Sequence, residues 1–188
     1  MSIPRRGNWS GVRGVNSFKR LLGVELFAGA GGMSLGAKWA NIDVKVAVEI
    51  KPSACLTFAR NHPKTRLFAQ DIRSVTEIDL PKRNVPLVVF GGPPCQGFAT
   101  SNQRTRSRTN PTNWLFLEFL RVVDLLGPEW VVFENVAGIV HTERGYFVRH
   151  LERHLKSRGY PLSRNKDREF DVKFNGGHLE RCCVRVPH

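Results

Sequence analysis

Cys95 stands in the stretch GGPPCQGF, residues 91–98, between a Pro-Pro pair and a Gln-Gly turn. A free cysteine ordinarily behaves as a small core hydrophobe and needs no rigid loop around it. A thiol held directly behind the apolar run VPLVVFGG is instead suited to nucleophilic attack. Further along, FENV sets Glu134 behind a second apolar run, EWVVF. A thiol and a carboxyl group at the ends of two such runs can combine nucleophilic addition with proton donation.

Upstream, ELFAGAGGMSLG, residues 25–36, carries Gly29, Gly31, Gly32 and Gly36 directly after the first apolar run. Glycines there let the backbone turn tightly and approach a ligand, and the helix that follows offers its N-terminal amides. The same pattern is also compatible with a plain tight turn. Glu49 ends the next apolar run, where a carboxylate can accept from ribose hydroxyls, as an adenosine-containing ligand requires. Asp71 ends the short segment RLFAQDI, where it can accept from an exocyclic amine, with Ile50 and Ile72 available to sandwich a purine. The glycine spacing fits the dinucleotide pattern poorly, which disfavours a dehydrogenase.

These residues need elements that bring strand ends to one crevice. Short apolar runs alternate with helix-like stretches: LLGVELFA then GMSLGAKWAN, VKVAVEI then KPSACLTFARN, VPLVVFGG then WLFLEFLRVVDLL, and EWVVFENV then GYFVRHLERHLKSRG. That alternation predicts an α/β fold with a doubly wound, mostly parallel sheet, whose ligands sit at the carboxyl ends of the strands. Phe116, Leu120 and Val123 make one helical stripe and Phe119, Val122 and Leu126 a neighbouring one, so that helix is expected to be well buried. Phe147, Leu151 and Leu155 line one side of the later helix, Arg149, Glu152, Arg153 and Lys156 lie elsewhere, and Gly159 is a natural stop. The reading divides the chain into a basic arm (1–20), a catalytic domain (21–160) and a poorly defined tail (161–188) with one strand near Glu169 to Phe174.

At 188 residues, one domain with a real core is expected. The 29 Lys and Arg against 16 Asp and Glu give a net charge of +13, which suits a polyanionic partner or a strongly solvated surface. No acid lies between Cys95 and Glu118, while Arg104, Arg106 and Arg108 all do. Cys55, Cys95, Cys182 and Cys183 lack the spacing of a zinc site or an easy disulfide, so no metal is expected. No run is long and apolar enough for a membrane helix and no signal peptide is evident, so a cytoplasmic, nucleoid-associated protein, or a nuclear one if eukaryotic, without a membrane partner is expected.

LFAGAGG, PPCQGF and FENV, in this order, resemble the signature blocks of the DNA (cytosine-5) methyltransferases of bacterial restriction-modification systems, over roughly residues 22–160. The resemblance implies a Rossmann-like methyltransferase fold and S-adenosyl-L-methionine as cofactor. Its site would comprise Phe27, Ala28, Gly29, Gly31, Gly32, Glu49, Ile50, Asp71, Ile72 and Pro93. It further implies Cys95 as nucleophile with Glu134 beside it. Gln96, Arg104, Arg106 and Arg108 would contact double-stranded DNA bearing a flipped cytosine.

Two positions depart from the family pattern, Glu25 where Asp is usual and Ala99 where Ser is usual. The QxRxR segment, target-recognition domain and final Asn-containing block are not found, so a split enzyme, a truncated product or a frameshifted remnant is expected. A second chain could then supply the missing parts. A tRNA cytosine-5 methyltransferase of the same fold and a non-catalytic cofactor- or DNA-binding remnant stand as the alternatives.

Overall fold

The first strand, β1 (Leu21–Leu26), reads LLGVEL and is buried at every residue but its first, as a strand covered on both faces must be. A computed structural model of the chain describes residues 20–82, 84–94, 114–135, 139, 142–160, 162–164 and 170–172. After β1 come α1 (Gly32–Trp39), β2 (Ile42–Glu49), α2 (Pro52–Asn61) and β3 (Arg66–Ala69), then β4 (Leu87–Gly91), α3 (Leu115–Leu126), β5 (Trp130–Phe133) and α4 (Tyr146–Ser157). The expected alternation is therefore present, with helix ends within a few residues of the sequence reading.

The five strands form one parallel sheet in the order β3-β2-β1-β4-β5. The chain winds outward from β1 through β2 to β3, then returns to the other side of β1 for β4 and β5. The order thus reverses between β1 and β4, which is where a doubly wound sheet opens its crevice. These two strands pass so closely that a Cβ on Gly91 would lie 2.0 Å from the Leu26 carbonyl oxygen. Only glycine fits there.

One face of the sheet packs Leu22, Val24, Leu26, Val48, Val89 and Phe133 against α3 and α4 in the main apolar cluster. Phe119 of α3 meets Phe133 of β5 edge to face, with centroids 5.2 Å apart, a favoured arrangement for aromatic rings. Phe116, Phe119, Leu120, Val122 and Val123 are all buried, as the two adjacent stripes predict. On α4 the buried side chains are Phe147, Val148, Leu151 and Leu155, whereas Arg149 and Arg153 are exposed. The opposite face is covered by Ala37 of α1 over Val44, Val88 and Phe90, and by Phe58 of α2 over Ala47.

Beyond α4, β6 (Leu162–Arg164) and β7 (Phe170–Val172) pair antiparallel as a separate two-stranded sheet. β7 falls on the strand expected near Glu169 to Phe174, while β6 has no counterpart in the sequence reading.

Candidate functional site

The turn after β1 is built from left-handed residues: Phe27 at φ 58°, Gly29 at φ 55° and Gly31 at φ 90°. Such a conformation is strained for a side chain like that of Phe27, and strain of this kind collects at ligand sites. The Ala28 amide donates to the Val48 carbonyl at 3.0 Å and the Gly31 amide to Ala28 at 2.9 Å, which ties the turn to β2. A Cβ on Gly29 or Gly32 would meet nothing within 4 Å, so the outer surface of the turn is open to a ligand. Gly31 is enclosed instead. A Cβ there would lie 2.3 Å from Nε2 of His62.

Beneath the turn, Glu25 of β1 is almost wholly buried, at 1% exposure. Its carboxyl group accepts from the hydroxyl and the backbone amide of Ser34 in the first turn of α1. Burial outweighs these bonds and pushes its pKa from 4.5 up to about 7. A carboxyl group with no cation beside it holds its proton in such a place.

Glu49, at the end of β2, accepts from three backbone amides. One carboxylate oxygen accepts from Gly29 at 2.8 Å, and the other from Ile50 at 3.0 Å and Lys51 at 2.7 Å. A carboxylate has about four acceptor positions, so one remains for a ligand hydroxyl. Asp71 is engaged differently: Nε and Nη2 of Arg73 and the Arg73 amide all donate to it at 2.6 to 3.1 Å. Those bonds hold the Asp71 carboxyl below its usual range. Any ligand amine at Asp71 therefore competes with Arg73.

Phe27, Glu49, Ile50, Asp71, Ile72 and Pro94 line one pocket of about 240 Å³, which also touches Gly92 and Leu115. Ile50 is 60% exposed and Ile72 buried, so one wall is an apolar side chain with free surface and the other a fixed floor. The floor is held from behind, since Arg121 of α3 donates to the Ile72 carbonyl at 2.8 Å while its Nε bonds Glu118 at 2.7 Å. At the neighbouring strand ends the Glu134 amide donates to Gly91 at 3.0 Å, and Nδ2 of Asn135 donates to the Pro93 carbonyl at 3.1 Å. A Cβ on Gly92 would lie 2.4 Å from Oε2 of Glu134, so that carboxyl group rests against a wall of the pocket. Glu134 is half-buried, and desolvation raises its pKa above the ordinary carboxyl value.

Of the residues expected at the site, Phe27, Glu49, Ile50, Asp71 and Ile72 thus meet at one pocket and Glu134 adjoins it. Gly29, Gly31 and Gly32 form the turn above. Ala28 packs with Ala47 and Phe58, and Pro94 lines the pocket where Pro93 was expected. Cys95, Gln96, Arg104, Arg106 and Arg108 lie outside the described residues. Ser34, His62, Arg73 and Arg121 were missed. Arg73, two residues from Asp71, carried the only local signal.

A parallel five-stranded sheet wound about a glycine turn, with acids at its strand ends, is the architecture of the Rossmann-like methyltransferases. Within that class, this chain belongs to the C-5 cytosine-specific DNA methylase family, whose model matches residues 21–165. It is 37% identical over 144 residues to the Type II methyltransferase M1.HphI of Haemophilus parahaemolyticus, covering 74% of this chain and 38% of that protein. Over 128 residues it is 41% identical to M.AquIA of Picosynechococcus sp., covering 65% of this chain and 51% of that one. The chain therefore spans between about a third and a half of these two relatives. A solved prophage-encoded E. coli protein, described as a DNA modification methyltransferase, is 31% identical with a TM-score of 0.61, covering 76% of this chain and 39% of that one. The Dnmt2 methyltransferase of S. pombe is 26% identical with a TM-score of 0.52, over 76% and 41% of the two chains.

Proposed function

We propose that this chain is the cofactor-binding and catalytic part of a DNA (cytosine-5) methyltransferase using S-adenosylmethionine. The observation that carries the reading is one pocket at the strand ends, lined by Phe27, Glu49, Ile50, Asp71 and Ile72, with Glu134 against its Gly92 wall. Pro94, also in that wall, is the chain neighbour of Cys95.

The pocket suits an adenosyl sulfonium. Ile50 and Ile72 can take the two faces of a purine, Glu49 keeps one acceptor position for a ribose hydroxyl, and with Asp71 paired to Arg73 the Glu49 carboxylate leaves the lining with a net negative charge toward a cationic ligand. When bound, S-adenosylmethionine supplies an electrophilic methyl group. The protein's own task is to make carbon 5 of cytosine nucleophilic. Cys95 adds as thiolate to carbon 6 of a flipped-out cytosine, and the electrons of the 5,6 double bond shift to carbon 5. Glu134, whose desolvated setting favours the neutral acid, donates to ring nitrogen 3 and stabilises the charge that develops as the sulfur adds. After methylation, carbon 5 loses its proton to a base, the sulfur leaves carbon 6 and the double bond returns. The arginines of the segment after Cys95, Arg104, Arg106 and Arg108, neutralise DNA phosphates.

Tritium transfer from the methyl donor to cytosine-containing DNA is expected, with the chain alone or combined with a partner chain supplying target recognition. DNA carrying 5-fluorocytosine should trap a covalent adduct at Cys95. Absence of both under both conditions rejects the enzymatic reading. Transfer to tRNA but not to DNA would reassign the substrate.

A further inference from the structure

His62 lies at the C-terminal end of α2, far in sequence from the glycine turn, yet its Nε2 is 2.9 Å from the Gly31 carbonyl oxygen. A carbonyl only accepts, so this nitrogen must carry the hydrogen. Its ring packs at a tilt against the buried Phe58, with centroids 4.7 Å apart and planes 37° apart. It also fills the space a side chain at position 31 would need, since a Cβ there would sit 2.3 Å from Nε2 and 2.4 Å from Cδ2. The His62 backbone is itself anchored: its amide donates to Phe58 at 2.8 Å, and Thr65, bonded to the His62 carbonyl, places its hydroxyl on Val44 of β2.

Gly31 is the residue at which the turn becomes helix. Its carbonyl accepts the first helical bond, from Leu35 at 3.0 Å, and its φ of 90° belongs to the left-handed region. Two residues earlier, the Gly29 amide is committed to Glu49. A bond at Gly31 therefore fixes the orientation of the whole turn and of the α1 amides behind it.

We propose that His62 is a positioning residue for the nucleoside pocket, holding the glycine turn open to ligand through its Nε2–H bond to Gly31. The inference rests on the cofactor reading above. It is tested by calorimetric titration of the full chain with S-adenosylmethionine, with thermal melting as the control for folding. His62→Phe keeps a ring against Phe58 and loses the donor; His62→Gln keeps a donor at similar reach. H62F should bind about five- to tenfold more weakly, the effect of one lost hydrogen bond, while H62Q should remain within about threefold of the parent. Where methyl transfer is measurable, KM for the donor should rise in H62F with kcat little changed.

Nitrogen-15 spectra of the parent protein should show the His62 Nε2 protonated. If H62F folds and binds as tightly as the parent, if H62Q is as weak as H62F, or if Nε2 carries no hydrogen, the inference is wrong. If H62F does not fold, H62Q and the nitrogen-15 spectrum decide. If the parent itself fails to bind the sulfonium nucleoside, the cofactor reading is wrong instead.

Discussion

The two halves of the crevice use the same residue type in opposite ways. Around β1 and β2, Glu49 is loaded with three backbone amides and serves to hold the turn. At the end of β5, Glu134 sits half-buried against Gly92, with desolvation as the cause of its raised pKa. Hydrogen bonds favour a carboxyl's charged form and desolvation its neutral form. On the proposed function, the first half of the crevice binds and orients, and the second favours the neutral acid that the chemistry would use. Glu25 is instructive because it lies in the first half yet has the second kind of environment.

The largest test of this contrast is Glu134→Gln. It should lower kcat by about a hundred- to a thousandfold, as loss of a charge-stabilising donor does, with donor affinity unchanged in calorimetry. The parent's pH profile should report the same group. Its folded pKa is raised, so the competent protonated form is present below that pKa and is lost as pH rises through it. A rate independent of pH on that limb, or a donor affinity that falls with E134Q, would contradict the division.

Glu25→Gln should have the next largest effect, on stability. The folded carboxyl keeps its proton to about pH 7, whereas the unfolded one releases it near 4.5. The folded state binds more protons in that window, so stability is fully present below it and falls as pH rises through it. The penalty is on the order of 3 kcal/mol above pH 7. Urea unfolding of E25Q should show little of this slope, and an equal slope in parent and variant would place the titration elsewhere. Arg73→Gln should act least. The Arg73–Asp71 pair is exposed and worth little, so freeing the carboxylate should tighten donor binding by no more than about threefold. Weaker binding in R73Q would mean that the guanidinium assists the ligand rather than competing with it.

What was legible in the sequence follows from the range over which its signals act. LLGVEL and LVVFG announce parallel strands because burial on both faces demands continuous apolar runs, and α3 announces itself through its two stripes. Glu49, Asp71 and Glu134 could be found because each ends such a run. His62, Ser34 and Arg121 could not, because the partners that tie them to the site, Gly31, Glu25 and the Ile72 carbonyl, lie on other elements and leave no periodicity. Arg121 is an example: its spacing fits an exposed helix face, yet it reaches the floor of the pocket. β6 was missed because its LSR shows no alternation, unlike EFDVKF around β7, where Phe170, Val172 and Phe174 alternate with charged residues.

The winding of the sheet also governs its birth on the ribosome. β1 can pair with β2 as soon as α1 has emerged, but its other edge must wait for β4, which follows roughly 60 residues after Leu26; at typical synthesis speeds that is on the order of 3 to 12 seconds. During that interval one edge of the largely apolar β1 is bare, and a bare edge recruits other chains. Yield of soluble protein should therefore be set by how quickly translation carries the ribosome through β4, ahead of any property of the finished pocket.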